Sequence, residues 1–400
     1  MNIISNKDNV LLSYFIFIFF LIILLSMVPL VTAILIPCLL IITSEYISDI
    51  LRKFLSVIGF LSIAIIQSSW VVTLVADIGI YYNNYISLLN SNYESIFEFG
   101  GGIEIILPLY FLILGNIFGE ISPSQLVLAV DIPVVIVISF FLNSVIKKIN
   151  HKNRAFIVGA CLVVFFATSW ASLLLRQYFS LMFFLLALKY RSKTFGMLSI
   201  FTHFSALVFF ILLKTYTINK TIFRTFIIVF SFATYFITDI SYFIINTVAN
   251  PIIGQKFYFY LDDSNFSTTG NLGALNCTFI ACIYLFITWI FEKKDLYNLK
   301  IRHIYRVDIF LLLMAIVMTM NIPLLPGRFF IIPILFSPLL AYLSSPLNNS
   351  IIFKSIYILY FFMLVIRFLT PTLSAAEFDV NSYWQAFNWY GSYPFYYLSE

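Results

Sequence analysis

The chain has 400 residues, of which 62% are hydrophobic and only 10% are charged. Since about a quarter of the residues in a soluble globular domain are charged, this composition excludes an ordinary soluble domain and predicts a protein that crosses a membrane many times. The net charge of +5 is small for this length and lies mostly in short loops, which favours a role in membrane orientation and disfavours nucleic-acid binding.

Long uncharged segments recur along the chain, and each can supply the roughly 20 residues that a spanning helix needs. These segments are continuously apolar, not alternating as in a membrane barrel, so we predict an all-α, polytopic membrane protein. The first apolar run is too long for a cleavable signal peptide and is expected to belong to the mature protein. The predicted spans lie near 11–26, 28–43, 55–75, 125–146, 155–174, 177–189, 222–247, 275–291, 307–322, 329–343 and 353–370.

The charged loops predict which side of the membrane each connection faces. Segments rich in Lys and Arg tend to stay in the cytoplasm, whereas 76–104 carries four acidic residues and no Lys or Arg and is expected outside. The predicted cytoplasmic loops are 147–154, 189–193, 214–224 and 292–306, with a weaker one at Arg52 and Lys53.

Two apolar segments, 103–119 and 195–213, are left over once these loops alternate between the two sides. Each is expected to be re-entrant or interfacial, unless one or two loops break the charge rule and both segments span. The prediction is a single transmembrane domain over 1–400 with 11 to 13 transmembrane or re-entrant helices. Its expected outer parts are the loops 76–103 and 249–274 and the C-terminal tail 371–400.

Two arginines stand at the edges of apolar stretches. An arginine at the centre of a bilayer costs about 2.5 to 3.5 kcal/mol on insertion scales, so Arg176 in "ASLLLRQYFSLMFFLLAL" must reach water or bind a ligand. Arg328 in "NIPLLPGRFFIIPILF" is predicted at a matching outer depth. A pair of guanidinium groups suits a phosphate or pyrophosphate, because each planar fork donates two parallel hydrogen bonds. The alternative is that each side chain extends to the head-group layer.

His203 is the only histidine inside an apolar segment. It could donate to a phosphate oxygen or carry a proton, or it could be a hydrogen-bonded packing residue. Asp77, Tyr81 and Tyr85 follow a four-residue step, which places them on one face if the segment is helical. Tyrosines beside carboxylates suit a carbohydrate, and a carboxylate could act as base toward a sugar hydroxyl. The alternative is a solvated loop with interfacial tyrosines.

No metal or cofactor is expected. All four cysteines lie in apolar segments, and Cys277 and Cys282 form no metal-binding pattern with a neighbouring histidine. The chain also has no nucleotide-binding glycine motif.

Residues 173–210, "LLLRQYFSLMFFLLALKYRSKTFGMLSIFTHFSALVFF", resemble the signature of the Wzy and EpsG-like polysaccharide polymerases. The likeness consists of an Arg-Gln pair, Arg176 and Gln177, followed by an apolar helix, a basic turn and a short apolar run that contains His203. The further residues that match are Asp77, Tyr81, Tyr85, Glu104 and Arg328.

The resemblance implies an O-antigen or exopolysaccharide polymerase of GT-C-like architecture in the bacterial inner membrane, with its active site facing the periplasm. Such an enzyme moves a growing glycan from undecaprenyl pyrophosphate to the non-reducing end sugar of another lipid-linked repeat unit. By this resemblance Arg176, Gln177, Arg328, Tyr81 and Tyr85 bind substrate. The catalytic residues that it implies are Asp77 or Glu104 as base, and His203 as support for the leaving pyrophosphate.

The resemblance implies no cofactor. The partners that it implies are the undecaprenyl-pyrophosphate-linked oligosaccharide, membrane lipid, and a chain-length regulator and flippase of the same pathway. Three alternatives remain. An O-antigen ligase uses a similar donor but transfers it to the lipid A core sugar. A lipid-linked oligosaccharide flippase or other transporter predicts charged residues at mid-helix positions. A structural subunit would carry no chemistry.

Overall fold

The computed structural model describes residues 16–68, 77–168, 174–235, 299–318, 331–344, 351–369 and 393–398. Within these ranges the regular structure is helical and contains no strand, which confirms the all-α prediction. In chain order the main helices are α1 Ile16–Met27, α2 Pro29–Ile42, α3 Asp49–Ser68, α4 Asp77–Leu89, α5 Ile106–Phe118, α6 Pro123–Val145, α7 His151–Ala167, α8 Leu175–Tyr190, α9 Lys193–Thr202, α10 Ser205–Ile218, α11 Lys220–Tyr235, α12 Leu299–Met318, α13 Ser337–Ser344 and α14 Ile351–Leu369.

The chain divides into two compact units. Unit 1 comprises Met1–His203 and Lys354–Glu400, and unit 2 comprises Phe204–Phe353. The predicted span at 275–291 lies outside the described residues.

One helix in the described part of the chain, Pro123–Lys148, has both the length and the apolar composition to cross a membrane. Six shorter apolar helices accompany it. The count of 11 to 13 membrane helices therefore stays a prediction. One of the shorter helices, α5, occupies the leftover segment 103–119 and has 13 residues. At 1.5 Å per residue it is about 20 Å long, less than the roughly 30 Å of a hydrocarbon core.

The core of unit 1 is built around α3, which packs against α2, α6 and α7. Glycines permit this close packing. A Cβ atom on Gly59 would lie 2.8 Å from Leu162 Cδ1, and one on Gly159 would lie 2.8 Å from Ile41 Cγ1. A larger residue at either position would force these neighbours to shift, because small residues let helix backbones approach each other.

A proline interrupts the hydrogen bonding of α6, the longest described helix of unit 1. Pro133 has no N–H to donate to the carbonyl of Ala129, four residues earlier. The Tyr110 hydroxyl on α5 donates to that carbonyl at 2.8 Å. The fold thus supplies a side-chain donor where the helix lacks a backbone donor.

A polar cluster fixes one end of the unit 1 bundle. Arg52, only 2% exposed, forms an ion pair with Asp49 and donates from Nε to Asn143 Oδ1 at 3.3 Å. Arg154 Nη1 also pairs with Asp49, at 2.8 Å. The two predicted cytoplasmic loops that contain Arg52 and Arg154 therefore lie at the same end of unit 1.

The C-terminal residues attach to other parts of unit 1. The backbone N–H of Phe395 donates to the carbonyl of Ser26 at 2.9 Å, between α1 and α2. Gln125 Nε2, at the start of α6, donates to the carbonyl of Leu398 at 2.6 Å. Residues 395–398 therefore lie beside both the α1–α2 turn and the start of α6.

Unit 2 contains a buried ion pair of its own. Asp308 on α12 is 5% exposed and accepts a hydrogen bond from Arg224 Nε on α11 at 2.6 Å. The Tyr216 hydroxyl on α10 donates to the other carboxylate oxygen at 3.2 Å. This carboxylate joins three helices of unit 2.

Candidate functional site

The candidate site of unit 1 is centred on Arg176, in the first turn of α8. Its Nε donates to the Tyr81 hydroxyl at 3.1 Å, and its Nη1 forms an ion pair with Glu104 at 2.5 Å. The Arg176 side chain is 26% exposed, whereas the Glu104 side chain is 4% exposed. A nearly buried carboxylate thus holds a partly exposed cation, and charge-assisted hydrogen bonds of this kind are the strong ones.

Glu104 also binds His203. Its second carboxylate oxygen lies 2.8 Å from His203 Nδ1, and the histidine side chain is 21% exposed. One carboxylate therefore joins two predicted functional residues that are 27 positions apart in the sequence. We call Tyr81, Phe99, Glu104, Arg176 and His203 the arginine cluster.

The register of the α8–α9 hairpin explains why Arg176 and His203 meet. The hydroxyl of Ser180 on α8 lies 3.0 Å from that of Ser199 on α9, and each hydroxyl also donates to the carbonyl of the other serine. Arg176 lies one helical turn before Ser180, and His203 lies one turn after Ser199. In an antiparallel pair, one turn back on one helix lies opposite one turn forward on the other.

His203 sits where the predicted apolar segment 195–213 is interrupted. α9 ends at Thr202, His203 has an extended backbone with φ −156° and ψ 122°, and α10 begins at Ser205. The segment is therefore not one continuous helix. The position of the His203 side chain is therefore set by the extended backbone between α9 and α10.

The loop between α4 and α5 carries Glu104 to the cluster. Gly100, Gly101 and Gly102 have φ values of +58°, +66° and +89°, which L residues rarely adopt. A Cβ atom on Gly100 would lie 2.5 Å from Glu104 Cγ. The buried Asn84 on α4 fastens this loop by donating to the Ser95 carbonyl at 2.8 Å and to Glu98 Oε2 at 2.6 Å.

Two aromatic rings flank the guanidinium. The Arg176 Cζ atom lies 4.7 Å from the ring centroid of Phe99 and 5.6 Å from that of Tyr81. Cation–π attraction at these distances adds to the ion pair and limits the motion of the side chain. An aromatic wall beside a cation can also cover the apolar face of a sugar.

The arrangement leaves polar atoms able to bind a ligand. No contact engages Arg176 Nη2 or His203 Nε2 within the described ranges, and both side chains are partly exposed. The Arg176 and Glu104 charges cancel. No three His, Cys, Asp or Glu side chains in the described ranges are grouped so that they could hold a metal ion.

Four of the predicted site residues come together: Tyr81, Glu104, Arg176 and His203. Tyr85 is buried one turn further along α4, where its hydroxyl donates to the Gly119 carbonyl and its ring packs edge-on against Phe111. The predicted outer loop 76–103 thus contains a helix, α4, and the Tyr81–Tyr85 spacing is helical.

The remaining three predicted site residues are Gln177, Asp77 and Arg328. Gln177 follows Arg176 and is 5% exposed. Asp77 is the first residue of α4, and its side chain lies outside the described structure. Arg328 lies outside the described residues, so the predicted pair of Arg176 and Arg328 stays a prediction.

Sequence reasoning missed Phe99, Gly100 and Asn84 as parts of this site. The run "FEFGGG" at 97–102 was a usable signal, because consecutive glycines often mark a backbone that must adopt positive φ. Sequence reasoning also missed Asp131, a carboxylate in the middle of the predicted span 125–146.

No protein-family model, no curated protein and no solved structure matches this chain.

Proposed function

We propose that the protein is an integral membrane protein of the bacterial inner membrane, with 11 to 13 transmembrane or re-entrant helices. Helix α14 supports this, because it has an apolar face that is exposed as well as an apolar face that is buried. Leu359, Phe362, Met363 and Ile366 form one face and are each more than half exposed, whereas Tyr357, Phe361 and Val365 on the other side are buried. A contiguous apolar face open to the surroundings marks a surface that contacts lipid or protein.

We propose that the protein polymerises lipid-linked polysaccharide repeat units at the outer face of this membrane. The reaction joins a sugar hydroxyl of one lipid-linked unit to the anomeric carbon of a glycan carried on undecaprenyl pyrophosphate. The observation that carries the proposal is the arginine cluster. In it one buried carboxylate binds a guanidinium and an imidazole, and two aromatic rings flank the guanidinium. These groups come from three separate segments of the chain.

Arg176 is the proposed ligand of the pyrophosphate. Its Nε and Nη1 are engaged by Tyr81 and Glu104, so Nη2 is the nitrogen that would donate to a phosphate oxygen. Donors fixed in advance stabilise the negative charge that develops on a leaving group without reorganisation. Because Glu104 cancels the charge of Arg176, a doubly charged pyrophosphate needs a further cation, and Arg328 is proposed for that role.

Glu104 is proposed to position its neighbours, because both of its oxygens already bind them. Its bond to His203 Nδ1 leaves Nε2 to take the proton of the acceptor hydroxyl. In that step the acceptor oxygen bonds to the anomeric carbon, the carbon–oxygen bond to pyrophosphate breaks, and the pyrophosphate leaves with the electron pair. The imidazolium formed then lies beside the departing anion. Asp77 is the alternative base.

A deletion strain complemented with variants tests the proposal. Arg176→Lys should fail to restore the polysaccharide ladder on a gel, because an ammonium does not reproduce the planar arrangement in which a guanidinium binds Tyr81, Glu104 and a phosphate oxygen at once. Arg191→Lys is the matched control, since Arg191 ends the same helix and is exposed. If the deleted gene encodes a polymerase, the gel shows lipid capped with one repeat unit. Loss of a ligase would instead give bare core, and loss of a flippase would leave the repeat units inside the cell. A normal ladder from Arg176→Lys would contradict the proposal.

A second candidate function is transport of a lipid-linked oligosaccharide. Asp131 favours it, because a carboxylate in the middle of an apolar helix is typical of proton-coupled transporters. The same gel separates the two functions, since loss of a transporter leaves no capped lipid at the cell surface.

A further inference from the structure

Asp131 is a buried carboxyl group that the proposed reaction does not use. It lies on α6, is 0% exposed, and neither of its side-chain oxygens has a hydrogen-bond partner in the described part of the chain. The other buried carboxylates with described side chains are Glu104 and Asp308, and each binds an arginine. Asp131 is therefore the exception among the described buried carboxyl groups.

An ionised Asp131 would be strongly unfavourable in this position. Transfer of a carboxylate from water to an apolar interior costs several kcal/mol even after relaxation, and a cation or several hydrogen bonds must offset that cost. Among the residues that the structure describes, neither is found at Asp131. A bound proton removes the charge and leaves only a neutral polar group to be buried.

Helix α8, which carries Arg176, packs against α6. The Tyr178 hydroxyl on α8 is also buried and makes no hydrogen bond to a described residue. The Tyr110 hydroxyl on α5 is already used by the Ala129 carbonyl, two residues before Asp131.

The charged side chains on the helices that pack against α6 are engaged elsewhere or exposed. Arg52 on α3 binds Asp49 and Asn143, Lys53 on α3 is exposed, and Arg176 on α8 binds Glu104. On α8 the Lys189 ammonium lies over the Phe140 ring. The described titratable groups of α4 are the tyrosines Tyr81, bound to Arg176, Tyr82, packed on Tyr85, and Tyr85, bound to the Gly119 carbonyl.

We propose that Asp131 is a proton-binding site inside unit 1, occupied in the folded protein. A protonated carboxyl is neutral and carries one O–H group, so it can release its proton again. Carboxyl groups in this position in membrane proteins serve proton relays. The inference goes beyond the proposed polymerase function and does not depend on it.

Infrared spectroscopy of the purified full-length protein at neutral pH tests the proposal directly. The wild type should show the carbonyl stretching band of a protonated carboxylic acid, and this band should shift in D₂O and disappear in Asp131→Asn. Asp308→Asn is the matched control, because Asp308 is also buried but is paired with Arg224. It should keep the acid band and lose a carboxylate band. If Asp131→Asn loses a carboxylate band instead, the proposal is wrong.

Two further measurements complete the test. If Asp131→Asn does not fold, the wild type labelled with ¹³C-aspartate replaces it in the test. The label changes the frequency of the acid band only if a protonated aspartate contributes to that band. An acid band whose frequency does not change on labelling overturns the proposal. Adding sodium at constant pH should leave the band unchanged, whereas loss of the band would assign the site to a metal cation.

Discussion

Replacing Glu104 by glutamine tests whether one carboxylate organises the arginine cluster. Glutamine has nearly the same shape, but it carries no charge and has one acceptor oxygen where glutamate has two. It can therefore accept from Arg176 Nη1 or bind His203 Nδ1, but it cannot serve both as glutamate does at 2.5 Å and 2.8 Å. The amide nitrogen of the introduced glutamine would then face the N–H group of Arg176 or of His203, and two donors cannot form a hydrogen bond.

The expected loss in the free energy of unfolding follows from these contacts. A hydrogen bond to a charged group contributes about 1.5 to 3 kcal/mol, so the two bonds contribute about 3 to 6 kcal/mol together. Glutamine keeps one neutral bond of about 1 kcal/mol. Because Arg176 and His203 are 26% and 21% exposed, water replaces part of what is lost. We expect Glu104→Gln to cost about 1 to 3 kcal/mol.

A double-mutant cycle isolates the Glu104–Arg176 interaction. The free energy of unfolding is measured in one detergent for the wild type, Glu104→Gln, Arg176→Gln and the double variant. Groups in direct contact should show a coupling energy of about 1 to 2 kcal/mol. Glu94→Gln is the control, because Glu94 is exposed in the same connection between α4 and α5 and its loss should change stability by less than about 0.5 kcal/mol.

A coupling energy below about 0.5 kcal/mol, the limit for independent sites, would refute the reasoning. It would mean that Glu104 and Arg176 are solvated separately and that the carboxylate does not hold the cluster together. A large coupling energy together with a normal polysaccharide ladder would retain the structural role and remove the proposed role in activity.

Two further predictions concern other parts of unit 1. Gly101→Ala should cost about 1 kcal/mol, because its φ of +66° is unfavourable although the space around it is open. Gly100→Ala should cost about 1 kcal/mol more in the same unfolding assay, since its Cβ would also collide with Glu104; equal costs would contradict the described loop. Burial raises the pKa of Asp49, but Arg52, Arg154 and His151 together outweigh it and leave that pKa below its ordinary value. A lowered carboxyl pKa stabilises the fold at neutral pH, and this stabilisation is lost as the pH falls through the folded pKa. The stability difference between wild type and Asp49→Asn should therefore shrink in acid, and a constant difference would count against the ion pairs.

The positions of many helices could be read from the sequence, because long apolar runs leave few alternatives. The predicted span 28–43 corresponds to Pro29–Ile42, and 125–146 corresponds to Pro123–Val145. Helix α3 begins at Asp49, before the predicted 55, because the polar residues at its start bind α6 and α7. Hydropathy marks only the apolar part of such a helix.

The contacts of the arginine cluster could be predicted only in part. Arg176 and His203 were identifiable because an ionisable side chain is costly inside an apolar membrane segment and usually has a function there. The role of Glu104 was not identifiable, since one acidic residue among several in 76–104 has no local mark of burial. Its burial depends on the positive φ of the glycines before it and on the α8–α9 register, and both are properties of the folded chain.

The charge balance of unit 1 shows why Glu104 and Asp131 should differ in chemistry although both are buried carboxyl groups on neighbouring elements. Glu104 lies within hydrogen-bond distance of a guanidinium and an imidazole, and these contacts offset the cost of burying a charge. Asp131 has no such partner among the described residues, so nothing described there offsets the cost of a buried charge. Glu104→Gln therefore removes charge-assisted contacts, whereas Asp131→Asn removes no described contact of the side chain.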